Sequence, residues 1–290
     1  MWIILAICSA LCLGFYDVMK KLSLRGNNVL LVLLLNTLFG SVLMFPVIAD
    51  SVCSGRFGPG AAVSDHLFIA LKAVIVLSSW VLGYFAIKHL PLTIQGPVNA
   101  SRPVMVLVGA LLIFGERLNL LQWAGILLGF ASLYFISRIG AREGFSMKHS
   151  RWLWMAVGAT VLGACSALYD KYLLLRYEPL QVQAWYSLYQ LVLMAIAVSV
   201  LRRARHSTGP FRWRWAIVGI SVFLTAADLA YFYALSLPGA MISVISMVRR
   251  GSVLVSFAFG VLVLHEGNVK AKLIDLGVLL LSLGLLVAGS

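Results

Sequence analysis

Long and almost unbroken apolar runs recur along the chain, with short polar connections between them. Ten of these runs are long enough to cross a bilayer as helices, because a span needs about 20 apolar residues. The predicted helices, numbered 1 to 10, cover residues 2–22, 29–49, 66–88, 92–115, 118–138, 152–175, 180–201, 213–236, 239–264 and 269–289. Residues 30–35 are continuously apolar, unlike a membrane β-strand, which alternates apolar and polar positions. The pattern therefore predicts an all-α integral membrane protein.

Composition supports this prediction. Of the 290 residues, 61% are hydrophobic and only 11% are charged, and the mean hydropathy is +0.97. A soluble domain of this length needs far more charge to cover its surface. The histidines are scattered, and Cys8 and Cys12 have no further ligand nearby in the sequence, so we expect neither a metal site nor a cofactor.

Positive charge is distributed unevenly among the connections. The net charge of +13 suggests membrane topology rather than nucleic-acid binding. Connections after odd-numbered helices hold fifteen basic residues: Lys20, Lys21, Arg25, Lys88, Arg138, Arg142, Lys148, Arg151, Arg202, Arg203, Arg205, Arg212, Arg214, Lys270 and Lys272. Connections after even-numbered helices hold five: Arg56, Lys72, Arg117, Lys171 and Arg176. Because basic residues favour cytoplasmic loops, this bias predicts that both termini lie outside.

The second half of the chain repeats the first at an offset of about 150 residues. The matching features, in order, are Tyr16-Asp17 with Tyr169-Asp170, Tyr84-Phe85-x4-Leu90-Pro91 with Tyr231-Phe232-x4-Leu237-Pro238, and Glu116 with Glu266. Each repeat holds five helices, an odd number, so the second repeat must enter the membrane in the opposite direction. We predict a five-helix repeat over 1–139, a polar linker over 140–150 and an inverted five-helix repeat over 151–290.

The stretch VLVGALLIFGERLNLLQWAGILLGFASLYFIS, residues 106–137, carries a family resemblance. Its Gly-Glu-Arg-Leu after helix 4, together with Gln122 and Gly125 on helix 5, is similar to the EamA-type transporters of the drug/metabolite transporter superfamily. The resemblance covers essentially the whole chain. It implies ten helices arranged as five plus five, a transport role and a bacterial inner-membrane location. Members are usually drawn with cytoplasmic termini, the reverse of what the charge bias predicts.

Three arginines fall within predicted helices. Arg102 lies eleven residues after Pro91, and Arg249, which precedes Arg250, lies eleven after Pro238. Each central arginine costs about 2.5–3.5 kcal/mol to insert unless it is paired or hydrated. Two polar stripes accompany them, formed by Gln95, Asn99 and Arg102 on helix 4 and by Ser243, Ser246 and Arg250 on helix 9. We therefore expect the arginines to face a water-accessible cavity, and the resemblance implies a similar basic pair on helix 9 in the sugar-phosphate translocators.

Polar side chains on other helices complete the predicted site. Candidate substrate-binding residues are Asn36, Trp185, Tyr186, Tyr189 and Gln190, and candidates for charge balance or proton coupling are Tyr16, Asp17, Tyr169, Asp170 and Asp228. A structural alternative remains open, in which Arg249 or Arg250 pairs permanently with Asp228, and Asp17 with Lys20 or Lys21. Glu116 and Glu266 are expected to cap or pin neighbouring helices.

The leading hypothesis is a secondary transporter that moves a small anion, phosphorylated or carboxylated, through the bilayer by alternating access. Alternatives are a flippase for a lipid phosphate or lipid-linked headgroup, and an exporter of amino acids or other small metabolites. No phosphate-binding Gly-x4-Gly-Lys-Ser/Thr loop is present, so ATP is not expected to drive transport directly. An enzyme is not expected, and the oligomeric state is left without a prediction.

Overall fold

The computed structural model describes residues 1–24, 26–55, 62–89, 98, 101–139, 151–203, 210–252, 255 and 269–289. Within these ranges the chain is helical and contains no strand. The helices are α1 (Trp2–Leu24), α2 (Val29–Cys53), α3 (Val63–His89), α4 (Arg102–Ile113), α5 (Leu120–Ile139), α6 (Arg151–Leu174), α7 (Pro179–Arg203), α8 (Ala216–Ser236), α9 (Ile242–Val248) and α10 (Val269–Ala288). A 3-10 turn, Arg249–Gly251, follows α9.

Among the described residues, six helical segments are long and apolar enough to cross a membrane. They are Trp2–Leu24, Val29–Cys53, Val63–Gly83, Arg151–Leu174, Pro179–Val200 and Ala216–Ser236. Shorter apolar helices cover Arg102–Ile113 and Leu120–Ala131. The prediction of an all-α, multi-pass integral membrane protein is therefore confirmed.

Helix ends follow from local sequence. Asn28 caps α2, because its side chain accepts a hydrogen bond of 3.2 Å from the backbone N–H of Leu31. Pro179 is the first residue of α7, a position where its missing N–H costs nothing. At the end of α8, Leu237 is extended as expected before Pro238, and Gly239 turns the chain with a φ of 75°.

Two predicted helices differ from the sequence expectation. The described part of helix 4 begins at Arg102, with Ser101 as N-cap and Pro103 in the first turn, where a proline is tolerated. Helix 9 has only seven residues before it tightens into the 3-10 turn that carries Arg249 and Arg250. Arg102 is therefore the first residue of α4, and Arg249 and Arg250 lie in the 3-10 turn that follows α9.

The most extensive helix contacts join the two halves of the chain. These pairs are α1 with α8, α3 with α6, α5 with α10 and α2 with α7, followed by α3 with α7 and α2 with α8. Exchanging each helix for the one five places away converts α1–α8 into α6–α3 and α2–α8 into α7–α3. The pairs α2–α7, α4–α9 and α5–α10 convert into themselves. The pattern of helix contacts is therefore preserved when the two halves of the chain are exchanged.

The crossing of α5 with α10 explains two residues that carry the family resemblance. A Cβ on Gly125 would lie 2.9 Å from the carbonyl oxygen of Ser282, and Ser282 Oγ donates to the Gly125 carbonyl at 2.6 Å. Small residues of this kind allow membrane helices to approach closely. Gln122 and Asn119 exchange side-chain hydrogen bonds with each other's backbone N–H at the start of α5. Gln122 and Gly125 therefore serve the fold.

Contacts between helix ends define two faces of the bundle. On the first, Asn27 Nδ2 donates to the Arg212 carbonyl at 2.7 Å, and Arg214 Nη1 donates to the Leu22 carbonyl at 2.7 Å. We call this the basic face. On the second, the opposite face, Asn119 Nδ2 donates to the Gly289 carbonyl at 2.5 Å.

Two lysines assigned from sequence to the connections of the opposite face lie within helices instead. Lys72 is in α3 and Lys171 is in α6. Of the other three basic residues counted on that side, Arg117 and Arg176 lie in connections, and Arg56 lies outside the described residues. On the basic face Lys20, Lys88, Arg151 and Arg202 also lie within helices, so both counts of basic residues in connections are smaller than the sequence indicated.

Candidate substrate-binding site

A cavity of about 470 Å³ lies between the two halves. It extends from Arg102 and Arg250 to Leu24 and Val29, which are the last residue of α1 and the first of α2. Those two residues lie beside the connection of the basic face, so the cavity reaches that face. Its described lining consists of Tyr16, Asp17, Lys20, Leu24, Val29, Val32, Leu33, Asn36, Ser79, Trp80, Gly83, Arg102, Ala159, Thr160, Ile220 and Arg250. Five predicted site residues line it: Tyr16, Asp17, Asn36, Arg102 and Arg250.

Arg102, at the start of α4, lies against the backbone of α6. Its Nη2 donates to the carbonyl oxygen of Gly163 at 2.7 Å. A Cβ on Gly163 would lie only 2.8 Å from the guanidinium carbon, so the missing side chain makes room for the arginine. Within the described residues Arg102 forms no salt bridge. Among the described residues, the guanidinium charge is therefore stabilised by a neutral carbonyl group rather than by a carboxylate.

Arg250 reaches the cavity from the 3-10 turn. Its Nε is buried and has no hydrogen-bond partner, and within the described part of the chain it forms no salt bridge. The charges that interact with it are Arg102, Arg249 and Asp17. Two of these three are positive, so Arg250 is incompletely compensated.

Arg249, the adjacent residue, has a different environment. Its Nη2 lies 3.1 Å from Asp228 Oδ1, and its guanidinium carbon lies 4.1 Å from the centre of the Tyr231 ring. This is the pairing with Asp228 that the sequence left open as an alternative. Arg249 is absent from the cavity lining, so one arginine of the pair is neutralised and the other is available.

The wall formed by α1 carries Asp17 together with Lys20. Lys20 Nζ lies 5.5 Å from the centre of the Tyr16 ring, and the structure shows no salt bridge between Lys20 and Asp17. The described lining thus holds three cationic side chains, Lys20, Arg102 and Arg250, against one carboxylate, which gives a net charge of +2. The side chain of Lys21 lies outside the described residues.

Asp170 does not neutralise the arginines, because it is paired with Lys72. The Lys72 Nζ lies 2.5 Å from Asp170 Oδ1, and the two side chains are 3% and 8% exposed. The same ammonium group lies 3.9 Å from the centre of the Phe232 ring and 4.5 Å from that of Tyr186. Sequence reasoning missed this pair, although a signal existed: Lys72 falls inside the run 66–88 that was itself predicted to be a helix.

A second, smaller cavity of about 20 Å³ lies where α2, α7 and α8 meet, and we call it the polar chamber. Its lining consists of Asn36, Thr37, Gly40, Gln183, Tyr186, Ser187, Gln190, Leu224, Thr225 and Asp228. Four predicted site residues, Asn36, Tyr186, Gln190 and Asp228, therefore surround this chamber. Ser246 is half-buried in α9 and lines neither cavity. Gln95 and Asn99 lie outside the described residues.

Comparison with known proteins gives the family. Residues 1–138 match the EamA-like transporter family. This match supports an EamA-type transporter. One solved crystal structure shares the fold, with a TM-score of 0.73 over 98% of this chain and 95% of that chain, at 16% sequence identity. No curated protein matches the sequence.

The Gly-Glu-Arg-Leu motif of this chain lies at the opposite face. Glu116 accepts hydrogen bonds from the backbone N–H groups of Ile242, at 2.6 Å, and Ser243, at 3.2 Å, and from the Ser243 hydroxyl. Lys171 Nζ lies 2.6 Å from the same carboxylate and also donates to the Ala240 carbonyl at 3.0 Å. Glu116 therefore caps α9, as expected from sequence, and links it to α4 and α6. Glu266 lies outside the described residues.

Aromatic residues also pack together near the opposite face. Tyr189 OH lies 2.5 Å from His66 Nδ1, and the His66 ring packs edge-on against Trp185. Tyr169 OH donates to the Phe68 carbonyl at 2.9 Å. Trp185, Tyr189 and Tyr169, three predicted site residues, therefore lie away from the large cavity.

A further contact of the opposite face lies in the connection after α6. Tyr177 OH donates to Asp65 at 2.7 Å, and burial together with this hydrogen bond raises the pKa of Tyr177 to about 12. The phenol therefore remains protonated and able to donate throughout the physiological pH range. This contact ties the start of α3 to the connection before α7.

Proposed function

We propose that this chain is an EamA-type transporter that carries a small organic anion, phosphorylated or carboxylated, by alternating access. The observation that carries the proposal is the net charge of +2 in the described lining of the large cavity. Arg102 and Arg250 both reach this cavity without a carboxylate partner among the described residues. Guanidinium groups bind phosphate and carboxylate through paired N–H donors, so an anion supplies the missing charge.

The proposed architecture has ten spans in two inverted five-helix repeats, 1–139 and 151–290, joined by the linker 140–150. Support comes from the helix contacts, which keep their pattern when each helix is exchanged for the one five places away. Transporters with inverted repeats place the substrate between the halves and move one set of helices against the other. The large cavity is lined by helices of both halves, as this mechanism requires.

In this proposal the conformation is open to the cytoplasm. The cavity reaches the basic face, and the excess of basic connections there favours a cytoplasmic location for that face, in a bacterial inner membrane. Glu116 and Lys171 meanwhile hold α4, α6 and α9 together at the opposite face. Outward opening would require these contacts to separate. Asp17, the carboxylate in the described lining, is the group that would carry a coupling proton.

The test is thermal stabilisation of the purified protein by a panel of phosphorylated and carboxylated metabolites. A ligand that binds only the folded state raises the melting temperature. We expect at least one anion to stabilise the wild type, and neither Arg102→Gln nor Arg250→Gln to respond. Arg176→Gln is the matched control, because Arg176 is exposed and stacks over Tyr172, away from the cavity. If no anion stabilises the wild type, the proposal is wrong.

A further inference from the structure

The polar chamber is built differently from an ordinary gap between helices. Its volume of about 20 Å³ exceeds the ~10–15 Å³ that a single water molecule needs, so the chamber can hold one small occupant. It lies where α2 crosses α7, the pair that the two-fold exchange of halves converts into itself. Thr37 on α2 and Ser187 on α7 are 150 residues apart, which is the repeat offset. The chamber therefore lies beside a helix pair that holds equivalent positions of the two proposed repeats.

Two hydroxyl groups in the wall, those of Thr37 and Ser187, present oxygen lone pairs rather than protons. Thr37 Oγ1 donates to the Leu34 carbonyl at 2.8 Å, and Ser187 Oγ donates to the Gln183 carbonyl at 2.7 Å. A hydroxyl has one proton and two lone pairs, so both groups keep acceptor capacity after binding their own helices. The chamber is lined by these oxygens without their protons.

Amide and carboxylate groups add further acceptors. Gln183 is 3% exposed, and its Oε1 is buried without a hydrogen-bond partner. Asp228 lines the chamber and forms one ion-pair contact among the described residues, through Oδ1 to Arg249. Gln190 Nε2 is also buried without a hydrogen-bond partner among the described residues. A half-turn of that amide would place its oxygen where Nε2 now lies.

We propose that the polar chamber binds a sodium ion. A water molecule has two protons, too few for the oxygens of Thr37, Ser187, Gln183 and Asp228 together. A small hard cation satisfies several oxygen ligands at once, and the Asp228 carboxylate offsets its charge. Inverted-repeat transporters hold coupling ions between their repeats, and the chamber is lined by helices of both halves of the chain.

Sodium in the chamber changes what Arg249 can do. Asp228 contacts Arg249 at 3.1 Å and also lines the chamber, so the ion and the arginine compete for one carboxylate. Occupation of the chamber weakens the hold of Asp228 on Arg249, which then becomes available to a transported anion. This last step rests on the proposed anion transport, whereas sodium binding does not.

The experiment measures the melting temperature in sodium chloride and in choline chloride at equal ionic strength, without any substrate. We expect sodium to raise the melting temperature of the wild type by several degrees, and not that of Gln183→Leu or Asp228→Asn. Gln181→Leu is the matched control. Gln181 is also buried with an unpartnered Oε1, but it does not line the chamber, so its variant should keep the sodium response.

Equal melting temperatures in sodium and choline would overturn the proposal, as would a full sodium response in Gln183→Leu. A chamber that holds only water gives the first of these results. Repeating the anion panel in both salts separates the two proposals. Sodium stabilisation without any response to anions would retain the ion site and remove the anion transport.

Discussion

Asp17 and Asp170 occupy the same position in the two proposed repeats, each directly after a tyrosine, yet their surroundings are opposite. Asp170 is 6% exposed and ion-paired with Lys72. Asp17 is exposed to the large cavity, where Lys20, Arg102 and Arg250 outnumber it. The two carboxylates thus lie at equivalent positions of the sequence. The groups around each one determine whether it is neutralised or faces the cavity.

The partners come from helices that are themselves repeat equivalents. At the offset of 147 that relates Tyr84 to Tyr231, the counterpart of Lys72 in α8 is Gly219, where a Cβ would lie 3.2 Å from Met19. Asp17 therefore has no equivalent lysine. By the same offset the counterpart of Asp228 in α3 is Val81, so Arg102 lacks the carboxylate that Arg249 has. One member of each equivalent pair is neutralised inside the protein, and the other is left for the cavity.

Breaking the neutralised pair gives the largest expected effect. Lys72→Met leaves Asp170 buried without its counter-ion, which typically costs about 3–5 kcal/mol of folding free energy. Thermal unfolding in detergent should show a large loss, and the double variant Lys72→Met/Asp170→Leu should recover much of it. A single variant as stable as the wild type would mean that the pair contributes little to the fold.

Displacing Arg102 without removing its charge gives an intermediate effect. In Gly163→Ala the added Cβ would lie 2.8 Å from the guanidinium carbon, so Arg102 must leave the Gly163 carbonyl. We expect anion affinity, measured by calorimetric titration, to fall about tenfold, which is ~1.4 kcal/mol. Gly158→Ala is the control on the same helix, because its Cβ meets only the end of Leu82 at 3.4 Å. Equal affinity in both variants would contradict a binding role for Arg102.

Removing the cavity carboxylate gives the smallest expected effect. It should increase anion affinity, whereas displacing Arg102 should decrease it. Asp17→Asn raises the net charge of the described lining from +2 to +3. Removing one unfavourable charge interaction of about 1 kcal/mol tightens anion binding about fivefold. The melting temperature should change little, because Asp17 is exposed to water in the cavity. Weaker anion binding in this variant would show that Asp17 contacts a cationic part of the substrate instead.

Much of the fold could be predicted from the sequence, because long apolar runs leave few alternatives to membrane helices. The repeat remains a prediction, which rests on the recurrence of Tyr-Asp and Tyr-Phe-x4-Leu-Pro in order. The interruption of helix 9 was not visible in its apolar pattern. It follows from tertiary contacts instead: Glu116 fixes the start of α9, and Gly251 packs closely against Leu283 of α10.

The site was predicted in part. Arg102 and Arg250 follow from their charge in an apolar setting, but the contrast between Arg249 and Arg250 depends on directions within a 3-10 turn. Adjacent residues in a 3-10 turn point about 120° apart, so only the packed structure decides which one reaches the cavity. Trp185 and Tyr189 have the composition of a binding site, yet their contact with His66 places them at the opposite face. The type of a residue does not show how close it lies to one face of the bundle or the other.

Contacts between charged side chains and much later parts of the sequence also affect how the chain is inserted during synthesis. Lys72 precedes Asp170 by 98 residues, and Glu116 precedes the backbone of Ile242 by 126. At roughly 5–20 residues synthesised per second, Lys72 waits about 5–20 s for its counter-ion, and Glu116 waits longer for the backbone N–H of Ile242. During that interval the inserted first half contains charges that only the second half can neutralise. The insertion machinery must therefore shelter these groups from lipid, and a chain truncated near residue 138 should be recognised and degraded rather than accumulate as a stable half-transporter.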